Sequence, residues 1–229
     1  MSRFGYVMTT YFAVMLMGVG DQPIYFLLAF AALFDAGDRV AVGEPGYPSY
    51  RQILRAMSVE PVGMQTSANN RYQPVPEDIP ADVQGVMLAS PGNPSGTMLG
   101  RAALSALAER TRQIGAALIS DEIYHGLAYG VPTQTALAYE PDAIVVNSFS
   151  KYYCMTGWRI GWLVLPEALV RPVERLAQNL YISAPYLSQV AALAAFEAGD
   201  ELEAVREGYA RNRSILLDAM PGLGFGRTH

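Results

Sequence analysis

Short apolar runs alternate with amphipathic stretches along most of the chain. The apolar runs, bounded by Gly, Pro or acidic residues, predict buried strands at residues 39–42, 59–64, 85–89, 116–119, 143–146 and 161–165. Apolar positions spaced three or four residues apart predict helices at residues 24–34, 50–57, 101–114, 167–180, 185–197 and 201–220. Strands that alternate with helices are typical of a mostly parallel sheet covered on both faces. We therefore expect an α/β fold, arranged as an α/β/α sandwich.

The first 23 residues do not fit this alternation. Residues 11–19 are apolar and follow Arg3, which faintly resembles a signal sequence, but no small-residue cleavage site follows. Asp21, Gln22 and Pro23 separate this run from the apolar residues 24–34, so neither run reaches the roughly 20 residues of a membrane span. Buried core is the interpretation we favour, with targeting or membrane insertion as the alternatives.

Composition excludes several classes of function. Of the 229 residues, 51% are hydrophobic and 16% charged, and the net charge of −5 offers no basic surface for nucleic acid or for a membrane. The single cysteine, Cys154, cannot form an internal disulfide, so a reducing, cytoplasmic compartment is expected. The sequence contains no CxxC or HExxH pattern and no histidine cluster, so we expect no metal site.

The chemistry-bearing residues concentrate in the loop that follows the predicted strand 143–146. Lys151 lies there with Ser148 and Ser150 before it and Arg159 after it. An amine shielded from water can attack a carbonyl to form a Schiff base, while hydroxyls and a guanidinium group are suited to binding a phosphate. This combination of groups is what pyridoxal 5'-phosphate requires.

Three other loops are predicted to reach the same edge of the sheet. They carry Tyr47, Asn93 and Asp121, each just after a predicted strand. Because the carboxyl ends of parallel strands lie at one edge, these residues and Lys151 are expected to converge there.

The motifs in these loops resemble those of the class I and II aminotransferases, pyridoxal-phosphate enzymes of fold type I. The matching segments are FDAGD (34–38), EPGYPSY (44–50), SPGNPSGT (90–97), SDEIY (120–124) and the lysine loop (148–162). They occur in the order of that family and span most of the chain. The resemblance implies the large, cofactor-binding domain of the fold, and amino-group transfer between an amino acid and a 2-oxo acid.

The resemblance also implies a role for each site residue. Lys151 is the implied Schiff-base lysine, which also moves the substrate proton, and Asp121 the implied partner of the pyridine nitrogen. Asn93 and Tyr124 are implied to contact the ring hydroxyl and Tyr47 to stack on the ring. The implied phosphate ligands are Ser148 and Arg159, with Ser150 as a further donor. A helix cap for Asp121, a core position for Tyr124 and a simple loop position for Tyr47 are the alternatives.

The resemblance further implies a homodimer and three segments of chain. Residues 1–23 form an atypical N-terminal segment, in which Gly18, Gly20 and Asp21 stand where the family has a phosphate-binding turn. Residues 24–198 form the cofactor-binding domain, with a hinge expected at Gly199 and Asp200. Residues 199–229 form the helical start of a C-terminal domain. The rest of that domain, including the arginine that would bind the substrate carboxylate, is expected to be missing. Two alternatives to an active aminotransferase therefore stay open, a catalytically impaired remnant and a pyridoxal-phosphate-dependent lyase.

Overall fold

A computed structural model describes residues 7–9, 12–17 and 22–226. Within them the strands are β1 (Val7–Thr9), β2 (Phe12–Met17), β3 (Arg39–Glu44), β4 (Glu60–Gln65), β5 (Gly85–Ala89), β6 (Ala117–Asp121), β7 (Ile144–Ser148) and β8 (Gly161–Leu165). The helices are α1 (Gln22–Leu33), α2 (Pro48–Ala56), α3 (Arg101–Gln113), α4 (Glu167–Leu180), α5 (Tyr186–Ala195) and α6 (Gly199–Ala219). Every helix and strand predicted from the hydrophobic pattern is confirmed, with ends shifted by at most a few residues.

The strands form one mixed sheet in the order β1-β2-β8-β7-β6-β5-β3-β4. Parallel pairing joins β4, β3, β5, β6 and β7, whereas β8 is antiparallel to both β7 and β2. Because β2 is antiparallel to β8, and β8 is antiparallel to β7, β2 points the same way as the parallel strands. The sheet is therefore mostly parallel, as predicted.

Side chains on the two faces of the sheet enter two separate cores. On one face Val40, Val42 and Met87 pack under α1, α2 and α4. On the other face Ala41, Val86 and Leu88 pack under Leu104 and Leu107 of α3. Adjacent positions of one strand serve opposite cores because successive strand residues point to opposite faces. Helices on both faces give the predicted α/β/α sandwich.

Helix α1 is buried in the core. Tyr25, Phe26 and Phe30 are fully buried, and Phe26 packs edge to face against Tyr50 with ring centroids 4.9 Å apart. A helix that is hydrophobic on all sides is stable only when surrounded by protein, which explains its place between the sheet, α2 and α4. The prediction of a buried helix is confirmed. In the described part of the chain, no helix is both long and apolar enough to span a bilayer.

The apolar run before α1 is partly a strand. Residues 12–17 form β2, which the hydrophobic pattern did not single out because the run lacks the alternation of a half-buried strand. Gly18, Gly20 and Asp21, which stand where the family has a phosphate-binding turn, lie outside the described residues. The expected hinge at Gly199 and Asp200 falls on the first residues of α6, and the division at residue 199 stays a prediction.

Gly161 allows β8 to approach β7 closely beside the predicted site. A Cβ atom at this position would lie 2.6 Å from Asn147 O, 2.8 Å from a ring carbon of Tyr25 and 2.9 Å from Ser148 Cα. Gly161→Ala is expected to lower the free energy of unfolding by about 2–3 kcal/mol, since two of these contacts are with backbone atoms. Gly157→Ala, where a Cβ meets nothing within 4 Å, is the matched control and should change stability little in chemical denaturation.

Candidate active site

The parallel strands β5, β6 and β7 bring three of the predicted loops to one edge of the sheet. Asp121, the last residue of β6, is in register with Ala89 at the end of β5 and with Val146 in β7. Asn93 follows β5 by four residues, and Lys151 follows β7 by three. The convergence expected from the strand pattern is therefore present in the backbone.

Asp121 is a buried carboxylate held by two donors. Its side chain accepts hydrogen bonds from the Tyr50 hydroxyl and, at 3.1 Å, from the Ile123 backbone N–H, and the residue is 3% exposed. Burial raises the pKa of this carboxyl to about 7, against the lowering effect of the two hydrogen bonds and of the Lys151 charge. Such a group takes up or releases a proton near neutral pH, and a cationic partner would stabilise its charge.

Tyr50 is a site residue that the sequence analysis missed. It lies in the first turn of α2, buried, three residues after Tyr47, and the two rings meet edge to face with centroids 5.4 Å apart. Burial first, then the nearby Asp121 charge, raises the pKa of the Tyr50 phenol well above its usual value, so the phenol remains a donor. The signal in the sequence was the three-residue spacing of two tyrosines at a predicted helix start, which places them on one face.

Lys151 and Tyr124 lie together, within electrostatic reach of Asp121. The Lys151 ammonium is 5.7 Å from the centroid of the Tyr124 ring, a distance at which the ring face attracts a cation. Burial, with contributions from Asp121 and Tyr47, raises the pKa of the Tyr124 phenol. Four of the predicted residues, Lys151, Tyr124, Asp121 and Tyr47, are therefore close enough to interact electrostatically.

The two predicted serines are buried and bonded to each other. Ser148 Oγ lies 3.0 Å from Ser150 Oγ and 3.1 Å from the Ile160 carbonyl oxygen, and it accepts a hydrogen bond from the Ser150 N–H at 3.0 Å. Arg159 adopts a left-handed backbone conformation, with φ at 55°, and its Nη1 donates to the Thr156 carbonyl at 2.8 Å. Thr156 Oγ1 in turn donates to the Ser150 carbonyl at 2.7 Å, so the two ends of the loop are tied together.

A cavity of about 650 Å³ opens beside the Asn93 loop and Tyr124. Asn93 and Tyr124 are the predicted site residues in its lining, which also contains Arg71, Tyr129 and Arg213. Arg213 comes from α6 and lies over the Tyr129 ring, 5.8 Å from its centroid. A volume of this size accommodates a small molecule next to Asn93 and Tyr124.

These residues have the chemistry required for pyridoxal phosphate. A buried carboxylate suits a pyridinium N–H, an amide and a phenol suit a ring hydroxyl, and an amine suits the aldehyde. The buried hydroxyls of Ser148 and Ser150 and the guanidinium group of Arg159 suit a dianionic phosphate. In the described part of the chain no group of three or more His, Cys, Asp or Glu side chains is arranged to hold a metal ion.

Tyr50→Phe tests the contact that holds Asp121 ionised. Losing the phenol donor should raise the pKa of Asp121 above about 7, by roughly one pH unit for one lost hydrogen bond. Pyridoxal phosphate needs the ionised carboxylate, so its affinity should fall as pH drops through this pKa, at a higher pH in the variant. Absorbance titrations between pH 6 and 9 measure the midpoint. Tyr47→Phe is the control, and equal midpoints in wild type and Tyr50→Phe would contradict the assignment.

The fold and the ordered loops are typical of one class of proteins, the aminotransferases. The family model for aminotransferase class I and II matches residues 7–228, and the chain belongs to this family.

Two curated relatives illustrate the range of the family. The chain is 48% identical over 209 residues to valine–pyruvate aminotransferase of Mycobacterium tuberculosis, covering 88% of this chain and 54% of that protein. It is 36% identical over 202 residues to arginine–pyruvate transaminase of Pseudomonas aeruginosa, covering 83% and 51%. The chain thus spans about half the length of the curated relatives that it matches.

Solved structures agree with the fold. A crystal structure of an aminotransferase from Mycobacterium tuberculosis superposes with a TM-score of 0.88 at 46% identity, over 93% of this chain and 57% of that one. Aspartate aminotransferase from Thermus thermophilus with maleate superposes with a TM-score of 0.87 at 29% identity, over 93% and 58%.

Proposed function

We propose that this chain binds pyridoxal 5'-phosphate through Lys151 and is part of an enzyme that transfers an amino group between an amino acid and a 2-oxo acid. The observation that carries the proposal is the pairing of a buried carboxylate, Asp121, with an amine that lies within its electrostatic reach. A carboxylate with a pKa near 7 in a dry site favours a cationic partner, and a pyridinium N–H supplies one.

The bound cofactor supplies an electron sink for the pair of electrons released when the substrate loses a proton. In this proposal Asp121 accepts a hydrogen bond from the pyridinium N–H and keeps that nitrogen protonated. Tyr50 and the Ile123 N–H hold the carboxylate in place. The support for these roles is that both donors are already bonded to Asp121, so the carboxylate is oriented before the cofactor arrives.

Lys151 has two proposed roles. Its amine would hold the cofactor covalently, and it would move the proton at the substrate carbon. The Tyr124 ring beside Nζ supports this role because it shields one side of the amine from water. Lys151 is also the only lysine in the 229 residues, against fifteen arginines, so it is the one side-chain amine of the chain that can form a Schiff base.

The remaining roles follow the shape of the site. We assign Asn93 and Tyr124 to the ring hydroxyl, since both line the same cavity, and Tyr47 to one face of the ring. Ser148, Ser150 and Arg159 are assigned to the phosphate. The hydrogen bonds from Thr156 to Ser150 and from Arg159 to Thr156 support this, because they fix the serines and the arginine in one unit.

The names of the relatives favour transfer over the lyase alternative. Both curated relatives described above use pyruvate in their names as the partner of the amino acid. We therefore propose pyruvate as one 2-oxo acid acceptor, with valine and arginine as the first donors to examine. The remnant alternative is addressed by the same assay.

We further propose that the protein works in the cytoplasm as a homodimer. The single cysteine is typical of a reducing compartment. Exposed apolar side chains on α5, among them Tyr186, Leu187 and Leu193, support association with a second copy. Light scattering of the purified chain measures the state directly.

Amino-group transfer is tested by incubating the purified chain with pyridoxal phosphate, pyruvate and each amino acid of a panel. The expected result is formation of alanine that requires the acceptor, well above the rate with free pyridoxal phosphate. Ammonia and a 2-oxo acid released without an acceptor would identify a lyase. A rate equal to that of free cofactor would identify a binding remnant.

A further inference from the structure

A second buried carboxylate, Glu122, lies directly after Asp121 and organises the segment behind the site. Its Oε1 atom accepts hydrogen bonds from Ser120 Oγ at 3.0 Å, from Thr135 Oγ1 at 3.2 Å and from the Ala136 N–H at 2.8 Å. The residue is 3% exposed. Three donors on one oxygen fix the carboxylate and leave Oε2 for a different partner.

That partner is His125. Its Nδ1 atom lies 3.5 Å from Glu122 Oε2, and its Nε2 atom lies 3.2 Å from the Ser90 carbonyl oxygen. Because a carbonyl oxygen only accepts, Nε2 carries the hydrogen of this bond. The imidazole therefore joins the end of β6 to the end of β5. The motifs predicted no role for His125.

Ser90 is held from three directions. Its N–H donates to the Asp121 carbonyl at 3.2 Å, its Oγ accepts from the Leu99 N–H at 3.0 Å, and its carbonyl accepts from His125. Three residues later the same loop presents Asn93 to the cavity. The His125 contact is therefore one of three that fix where the Asn93 loop leaves the sheet relative to Asp121.

We propose that His125 is a positioning residue that fixes the distance between Asp121 and Asn93. This inference rests on the proposed function, in which Asp121 contacts the nitrogen and Asn93 the hydroxyl of one pyridine ring. A rigid ring can be gripped by both only when their spacing matches it, so a loosened loop weakens binding without removing any group that touches the cofactor. When the imidazole is protonated, its Nδ1–H also faces the Glu122 carboxylate, 3.5 Å away. The Ser90 carbonyl links the imidazole to the loop that carries Asn93.

Three substitutions at His125 separate this role from general stabilisation. His125→Gln places an amide N–H near the Nε2 position and keeps the bond to Ser90. His125→Asn carries the same amide one methylene shorter, where it meets Glu122 and not Ser90. His125→Ala removes both contacts. Absorbance titration of the purified chain with pyridoxal phosphate is expected to give a Kd within about twofold of wild type for Gln, and about tenfold weaker for Asn and Ala, the loss typical of one hydrogen bond.

A double-mutant cycle with Asn93→Ala tests the route of the effect. If His125 acts by positioning Asn93, His125→Ala should weaken binding by less than about twofold once Asn93 is already alanine. Full additivity would overturn the inference, as would a Gln variant as weak as the Asn variant. Thermal unfolding without cofactor is the second measurement, and it shows whether each variant is folded. Should Ala fail to fold, the Gln and Asn pair decides alone.

The outcomes for the two proposals differ. If the wild type binds pyridoxal phosphate and all three His125 variants have the same Kd, the positioning role is overturned and the proposed function stands. Wild type that does not bind overturns both.

Discussion

Replacing Lys151 by alanine is expected to abolish covalent attachment of pyridoxal phosphate and to reduce amino-group transfer by about 10⁴-fold, since nucleophile and proton carrier are lost together. Lys151→Arg is the matched variant, because it keeps the positive charge beside Asp121 and the contact with the Tyr124 ring but has no amine that can attack an aldehyde. Both variants should lose the absorbance band of the cofactor that is covalently joined to Lys151. Steady-state rates with pyruvate and an amino acid measure the second effect.

The outcome for arginine distinguishes chemistry from charge. If Lys151→Arg retained more than about a tenth of the wild-type rate, the amine would not be the reacting group, and Lys151 would have only an electrostatic role.

The second large effect is expected at Asp121. Asp121→Asn keeps the shape of the side chain, but Tyr50 and Ile123 donate to different oxygens of the carboxylate, so the single amide oxygen can accept from only one of them. The amide also cannot hold the pyridine nitrogen protonated. Transfer should fall by about 10²-fold or more, the range typical of losing one electrostatic partner in a dry site. Single-turnover measurements with the cofactor bound separate this effect from weaker binding. An unchanged rate would mean that the carboxylate does not face the ring nitrogen.

The same substitution should remove a pH dependence of stability from the protein without cofactor. Burial raises the pKa of Asp121 to about 7, above the value of about 4 in an unfolded chain, so the folded state binds the extra proton between these pH values. Stability therefore falls as pH rises through this window, by up to about 4 kcal/mol from this group. Asn at position 121 should remove that fall. Urea unfolding at pH 5 and pH 8 measures it, and parallel profiles for the two proteins would contradict the buried-carboxylate account.

Local hydrophobic patterns were sufficient to predict most of the fold. Apolar runs located six strands and six helices because burial on one or both faces imposes those patterns directly. Strand ends were less predictable. The apolar runs stop at Ile119 and Val146, yet β6 and β7 continue to Asp121 and Ser148, since polar residues can pair in a ladder once neighbouring strands are in place. The antiparallel pairing of β2 with β8 joins residues about 150 positions apart and has no local signal.

The site, too, was predictable from the sequence only in part. Motifs located the loops and the residues that carry chemistry, because glycine, proline and charged residues after buried strands are visible in the sequence. The contacts that hold those residues were missed. Tyr50 reaches Asp121 across 71 residues, and His125 reaches Ser90 across 35. Both contacts depend on how a helix and a loop pack against the sheet. The spacing of residues within one segment does not predict such packing.

The most direct test of the central claim is chemical. The purified chain is mixed with pyridoxal phosphate, reduced with borohydride, digested and analysed by mass spectrometry. Because Lys151 is the only lysine of the chain, the competing amine is the N-terminus, and the two adducts fall in different peptides. The account predicts one stoichiometric pyridoxyl phosphate adduct on Lys151. Recovery of unmodified Lys151, with label on the N-terminus alone, would contradict it.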